Sequence, residues 1–313
     1  MKPFEVRLVE AVTRKRKADG LSLRALSAIV GISFSTLARI ERRDGLPDNN
    51  SKIRLLAWLG PAAEENGLGL ENVALVHFRA GKNVRSRTVQ SLLRAANCLT
   101  QDAGLVTSGG PSPALAEHET VVLSKEELER AAEAFRKDLG LRGDQALDSL
   151  QLDVEGISIV RLRHTNCLDT ATVEHLSTDG CDEWSAMSVP LDGSHDNWAV
   201  LLNDCHTIER QRVTLLEEVW HILLGHRLTK IAKVAEAYGR TYDSAEEHDA
   251  YYLASATLLP RSAMTAAVSE RLSSEVIAQR FGTSRELVDY RLKRLGLWRD
   301  HVGKKIALIS TDR

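Results

Sequence analysis

Apolar positions recur at helical spacing from residue 22 onward. Leu23, Leu26 and Ile29 mark one face of a helix that Ser22 can cap. Leu37 and Ile40 mark a second helix that Ser33 can cap. Gly31 between them suits a tight turn, because glycine enters left-handed backbone without a Cβ penalty. Ser124-Lys125-Glu126-Glu127 has the order of a capping box and opens a helix through Leu128, Ala132 and Phe135. The short apolar runs 157–162 and 198–203 read as strands of a small, largely antiparallel sheet packed on a helix over 212–226. A further amphipathic helix from Glu247 is stopped by Pro260. Residues 276–296 turn on Gly282, with Ser284 as a cap and Ala278, Val288 and Leu292 facing inward. Between 103 and 114 the pattern lapses into Gly, Pro and Ser, as in a flexible linker. The pattern predicts an α+β chain. An all-α helix-turn-helix domain covers 1–100, a linker 101–120, and a mixed domain 121–313 that ends in a second helix-turn-helix-like segment. Two domains suit 313 residues.

The first turn carries chemistry on its outer face. With Leu37 and Ile40 inward, Phe34, Ser35, Thr36 and Arg39 project outward, and short hydroxyls and Arg are the side chains that read base edges. Arg24, Ser33, Arg42 and Arg43 flank this face and complete the candidate DNA contacts. Charge agrees with this. Residues 1–95 hold 17 Lys and Arg against 9 Asp and Glu, a balance of +8, whereas the rest holds 24 against 34, a balance of −10. A basic head on an acidic body is the footprint of phosphate-backbone binding. Arg79, Lys82, Arg85, Arg87 and Arg94 extend it toward DNA or a partner subunit. Residues 5–60 resemble the lambda-repressor-like (XRE) family through this helix-turn-helix, Gly45-Leu46-Pro47 and the run Lys52–Gly60. The resemblance implies binding of double-stranded DNA, and a homodimer is compatible with it.

Arg212–His226 carries a second chemistry. Glu217 and His221 stand four apart, on one helix face, and carboxylate and imidazole are both ordinary zinc ligands. A carboxylate in place of a second imidazole hardens such a site, making manganese or iron more competitive. The plainer reading is a helix that caps a sheet. Downstream, Glu247 lies 26 residues after His221 and opens a helix with a small-residue stripe, Ala250 and Ala254. Together these segments resemble the ImmA/IrrE family of metallopeptidases. Arg212, Thr214 and Leu215 match its lead-in and Leu223–His226 its tail. Glu247, Ala250, Ala254, Leu258 and Pro260 match its second helix. The resemblance implies Glu218 as general base, with His221 and Glu247 as metal ligands. Glu217 occupies the first ligand position, where the family has His, and this departure lowers the expected metal occupancy and proteolysis. Glu246 and Asp249 are weaker ligand candidates, and His248 is one only if its helix is rotated. His226, five residues past His221, is expected to turn away as a structural histidine.

The basic run Arg291, Lys293 and Arg294 in the second helix-turn-helix segment reads first as a solvated face. Cys98, Cys167, Cys181 and Cys205 form no Cys-x-x-Cys pair, so free thiols in a reducing compartment are expected. Cys167 and Cys181 lie in a loop-rich stretch with His164 and His175 that admits a redox or metal role. No signal peptide and no apolar run near 18 residues is found, which predicts a cytoplasmic protein with no membrane partner. Two functional readings follow. One is a DNA-binding regulator whose second domain senses a signal or binds a partner. The other is a metal-dependent endopeptidase that cleaves a repressor protein. Glu217 favours the first.

Overall fold

The computed structural model describes residues 4–68, 71–80, 84–102, 123–192, 195–234, 237–240 and 244–304. Five helices come first, α1 (Phe4–Ala18), α2 (Leu23–Val30), α3 (Phe34–Glu41), α4 (Asn49–Leu59) and α5 (Pro61–Glu65). Strand β1 (Glu71–Ala80) and helix α6 (Ser86–Asp102) follow. Next are α7 (Lys125–Asp138), β2 (Ile157–Arg161), α8 (Thr170–Ser177), β3 (Trp184–Pro190), β4 (Trp198–Leu202) and α9 (Ile208–Leu223). Strands β5 (Thr229–Val234) and β6 (Ala237–Arg240) precede α10 (Ser244–Leu258) and α11 (Arg261–Ser269). The last helices are α12 (Ser274–Phe281), α13 (Arg285–Leu295) and α14 (Trp298–His301). The fold is α+β. No single described helix is long and apolar enough to cross a membrane.

Two compact units divide the chain, and neither is contiguous. The first gathers Met1–Thr107, Leu162–Ala199 and Arg227–Asp243. The second gathers Ser108–Arg161, Val200–His226 and Ser244–Arg313. One division, Thr107/Ser108, falls within the expected linker 101–120, most of which lies outside the described residues, but Leu162–Ala199 and Arg227–Asp243 return to the first unit. The reason is β1. It pairs antiparallel with β3 (His77 opposite Ser188, Phe78 opposite Met187) and with β5 (Ala74 opposite Ile231, Val76 opposite Thr229). A central strand needs both edges filled to satisfy its backbone, so residues 71–80 draw distant segments to themselves. β5 also pairs antiparallel with β6, and α6 packs on these strands.

Within this unit the helical head forms as its caps dictate. Ser22 Oγ accepts from Ala25 N–H, and Gly31 adopts φ +65°. Leu8, Leu26, Leu37, Ile53 and Leu59 are buried together, and Ala232 of β5 joins the same core. Ile29 departs from its expected inward place and is 56% exposed. Cys98 of α6 is disulfide-bonded to Cys167, with Cα atoms 5.8 Å apart. This corrects the expectation of four free thiols. The fold brings together two residues that are 69 apart in sequence, which spacing motifs cannot reveal.

The second unit is helical at its core. The capping box at Ser124 and Glu127 is formed and opens α7. Leu128, Leu216, Trp220, Leu253, Ile277 and Leu292 pack together from α7, α9, α10, α12 and α13. The sequence predicts an amphipathic α10, yet apart from half-buried Tyr251 it is buried from Ala250 to its end. Of the basic run of α13, Lys293 and Arg294 are exposed as expected, but Arg291 is not. Arg291 is fully buried and donates to both Glu129 oxygens at 2.6 and 2.7 Å and to the Leu259 carbonyl at 2.9 Å. Arg294 lies over the Tyr252 and Tyr290 rings, and Lys293 lies over Trp298.

Burial alone would raise the Glu129 carboxyl. Arg291, with the Tyr252 hydroxyl that donates to it and Arg261 at 3.6 Å, outweighs that effect and holds it below the usual carboxylate value. Burial and the bond to Glu129 push Tyr252 up to about 12. A depressed folded-state value means that the carboxylate stabilises fully above the unfolded value of about 4.3. That contribution is lost as pH falls through the lower folded value. Glu129→Gln leaves the Arg291 charge buried without its counterion and is expected to cost about 3–5 kcal/mol. It should also flatten the acid limb of stability against pH. Urea unfolding from pH 3 to 7 measures both, and an unchanged midpoint at pH 7 would count against the pair's role.

Candidate nucleic-acid interface and metal centre

In the first unit the eight residues expected at DNA cluster around the start and end of α3. Ser33 Oγ accepts from Thr36 N–H at 3.2 Å and lies 3.1 Å from Ser35 Oγ and 2.8 Å from Thr36 Oγ1. Three hydroxyls thus sit at one helix N-terminus. Phe34 is 46% exposed, and the Arg24 guanidinium lies 5.6 Å from its ring centroid. Arg39 is exposed, running past Gly45, where a Cβ would come within 3.0 Å of its Nε. Arg42 and Arg43 are exposed but face carboxylates, Asp44 at 3.1 Å and Glu10 at 3.1 Å. Exposed pairs of this kind contribute little, so exchanging the carboxylate for a phosphate is cheap. Thr36 alone of the eight is half-buried.

Some residues that sequence reasoning passed over hold this face. Arg54 of α4 donates to the Gly31 carbonyl and pins the turn. Arg16 of α1 grips Glu41, the last residue of α3, at 2.7 and 2.9 Å. Neither carries a distinctive signal, since Arg16 stands in the basic run Arg14–Lys17 and Arg54 beside Lys52, which read equally as surface. Arg85, expected to extend the basic surface, instead binds Glu183 and the Asp179 carbonyl. Arg87 and Arg94 are exposed. The Arg79 side chain and Lys82 lie outside the described residues.

In the second unit, α9 starts from Thr207, whose hydroxyl accepts from Arg210 N–H. Arg212 then donates to Asp148 at 3.0 Å and to the Gly282 carbonyl at 2.9 Å. Gly282 is at φ +61°, and a Cβ there would collide with the Arg212 guanidinium. Beyond this anchor, Glu217 is 1% exposed, Glu218 0% and His221 5%. Glu247, at the start of α10, brings Oε1 to 3.9 Å from His221 Nε2. Zinc bonds to imidazole and carboxylate run about 2.0–2.2 Å, so one ion can bridge that gap. A buried imidazole facing a carboxylate from a second helix, with two buried carboxylates one turn back, is a donor set that suits a divalent cation. Glu217, His221 and Glu247 are the residues that could hold it.

Of the lesser ligand candidates, His248 is exposed and engaged elsewhere, with Arg294 holding its Nε2 at 2.6 Å. Asp249 is half-buried, and desolvation raises its carboxyl. The Glu246 side chain lies outside the described residues. His226 corrects its expected place. The helix ends at Leu223, Gly225 reverses the chain at φ +61°, and His226 N–H donates to the His221 carbonyl at 3.0 Å. Its Nδ1 then lies 2.8 Å from His221 Nδ1. The expectation that it turns away assumed continued helix, which Gly225 ends.

No curated protein matches the chain. Among solved structures it is similar, at 17% identity and a TM-score of 0.32, to a Mycobacterium tuberculosis transcriptional regulator. The likeness covers 66% of this chain and 52% of that one, so the chain spans about half that protein's length. Residues 183–293 match the family model of the IrrE N-terminal-like domain. Glu217, Glu218, His221 and Glu247 all fall inside this IrrE N-terminal-like stretch.

Proposed function

We propose that this chain is a sequence-specific DNA-binding transcriptional regulator of lambda-repressor-like type. Its IrrE-like stretch acts as a sensing or partner-binding module that holds a divalent cation and has little or no peptidase activity. The observation that carries the reading is the exposed face of α3, where Phe34, Ser35 and Arg39 stand clear on a helix fixed by the Gly31 turn and the Ser33 cap. In selection from a random duplex pool at low salt, the full chain should enrich a defined site. Arg39→Ala should cost about 1–3 kcal/mol at one base position. Arg42→Ala or Arg43→Ala should weaken all sequences alike and reduce the salt dependence. Failure to retain any duplex at low salt would end this reading.

The weak peptidase expectation follows from charge. A divalent cation bound here would supply Lewis acidity. Glu217 and Glu247 bring two negative charges to it, where two imidazoles and one carboxylate bring one, so more of the ion's charge is offset before any substrate arrives. Glu218, fully buried beside His221 in α9, is the residue suited to accept a proton. Its retention favours the second reading, an endopeptidase that cuts a repressor protein. Casein cleavage separates the two. The unmodified chain should stay near background, and Glu217→His should raise the rate. Adding Glu218→Gln should lower the gain by about 10²–10⁴-fold. Strong cleavage by the unmodified chain, lost on Glu218→Gln alone, would establish the endopeptidase instead.

A further inference from the structure

A histidine that binds a cation through one ring nitrogen is oriented by what its other nitrogen meets. His221 turns Nε2 toward Glu247, at 3.9 Å, and Nδ1 toward His226 Nδ1, at 2.8 Å. Two imidazole nitrogens at that distance share one proton, because two lone pairs repel and two N–H groups collide. Two arrangements meet this condition. In the first, His226 donates, and the neutral His221 carries its own proton on Nε2, facing Glu247. In the second, His221 Nδ1–H donates to His226, and His221 Nε2 presents a lone pair toward Glu247. Only the second leaves His221 a ligand. The His221–Glu247 separation exceeds hydrogen-bond reach, so that contact does not favour the first.

We propose that His226 is a positioning residue for the metal centre. It accepts from His221 Nδ1–H, fixes the tautomer and aims the Nε2 lone pair at the site shared with Glu247. This inference rests on the metal-binding reading of the second unit. The local backbone is built for the contact. Leu224 N–H donates to the Trp220 carbonyl, and Gly225 N–H donates to the Ile222 carbonyl. His226 N–H donates to the carbonyl of His221 itself. The left-handed Gly225 folds the His226 ring back over the helix end, edge-on to His221 at 73° with centroids 4.9 Å apart. His226 thus supports a centre that has only one imidazole among its candidate ligands.

The test is the zinc and manganese affinity of the full chain, measured by competition with a chromophoric chelator. Unmodified protein, His226→Ala and His226→Asn are compared. Loss of the acceptor should weaken zinc binding by about 10–100-fold, and His226→Asn, whose amide oxygen can accept the same proton, should recover most of it. Long-range ¹H–¹⁵N spectra of the zinc-loaded unmodified chain should place the His221 proton on Nδ1. Equal affinity in His226→Ala, or a proton on His221 Nε2 with zinc bound, overturns the proposal. Should His226→Ala lose its circular dichroism, the tautomer in the unmodified chain decides alone. An unmodified chain that takes up neither metal overturns the metal reading, and this inference with it.

Discussion

The second unit depends on one ion pair. Arg291 and Glu129 are both out of water, a placement that stabilises only when geometry and further hydrogen bonds offset desolvation. Here the fork is bidentate, Tyr252 donates to the same carboxylate, and the Arg291 Nε–H goes to the Leu259 carbonyl. One side chain of α13 therefore holds α7 and the end of α10. Arg136 adds a bond from α7 to the Thr257 carbonyl, and Trp220 of α9 donates to the Thr257 hydroxyl. α9 and α10 are fixed against each other in this way, and so Glu217, Glu218 and His221 of α9 and the Glu247 carboxylate of α10 have a defined meeting point.

The first unit solves a different problem. A small helical head has little interior of its own, and here its core extends to Ala232 of β5. β5 pairs with β1, and β1 pairs with β3. The head is thus seated on a sheet made from three separated stretches of chain. The candidate DNA face needs only local devices above that seat: two serine caps, one left-handed glycine, and the Arg54 and Arg16 clamps.

Legibility in the sequence followed the range of the interaction. The Ser22 and Ser33 caps, the Gly31 and Gly282 turns and the Ser124–Glu127 capping box act within a few residues, and each stands where the pattern put it. The spacing of Glu217, His221 and Glu247 was likewise readable, because two helices at that separation can converge. Long-range pairing was not. Nothing near residues 71–80 names their partners in β3 and β5. Within the basic run of α13, Arg291 read as surface because Arg is seldom buried, and its counterion sits on α7. The disulfide between Cys98 and Cys167 and the return of His226 also depend on chain paths that no local period encodes.

The sensing half of the proposed function rests on the cation site of the second unit, where His221 faces Glu247. Elemental analysis of the purified full chain, after dialysis against zinc or manganese and then against metal-free buffer, measures it. The account predicts one equivalent of metal in the unmodified chain and its loss in His221→Ala with the fold intact. A chain that retains no metal, or a His221→Ala variant that retains as much, would contradict it.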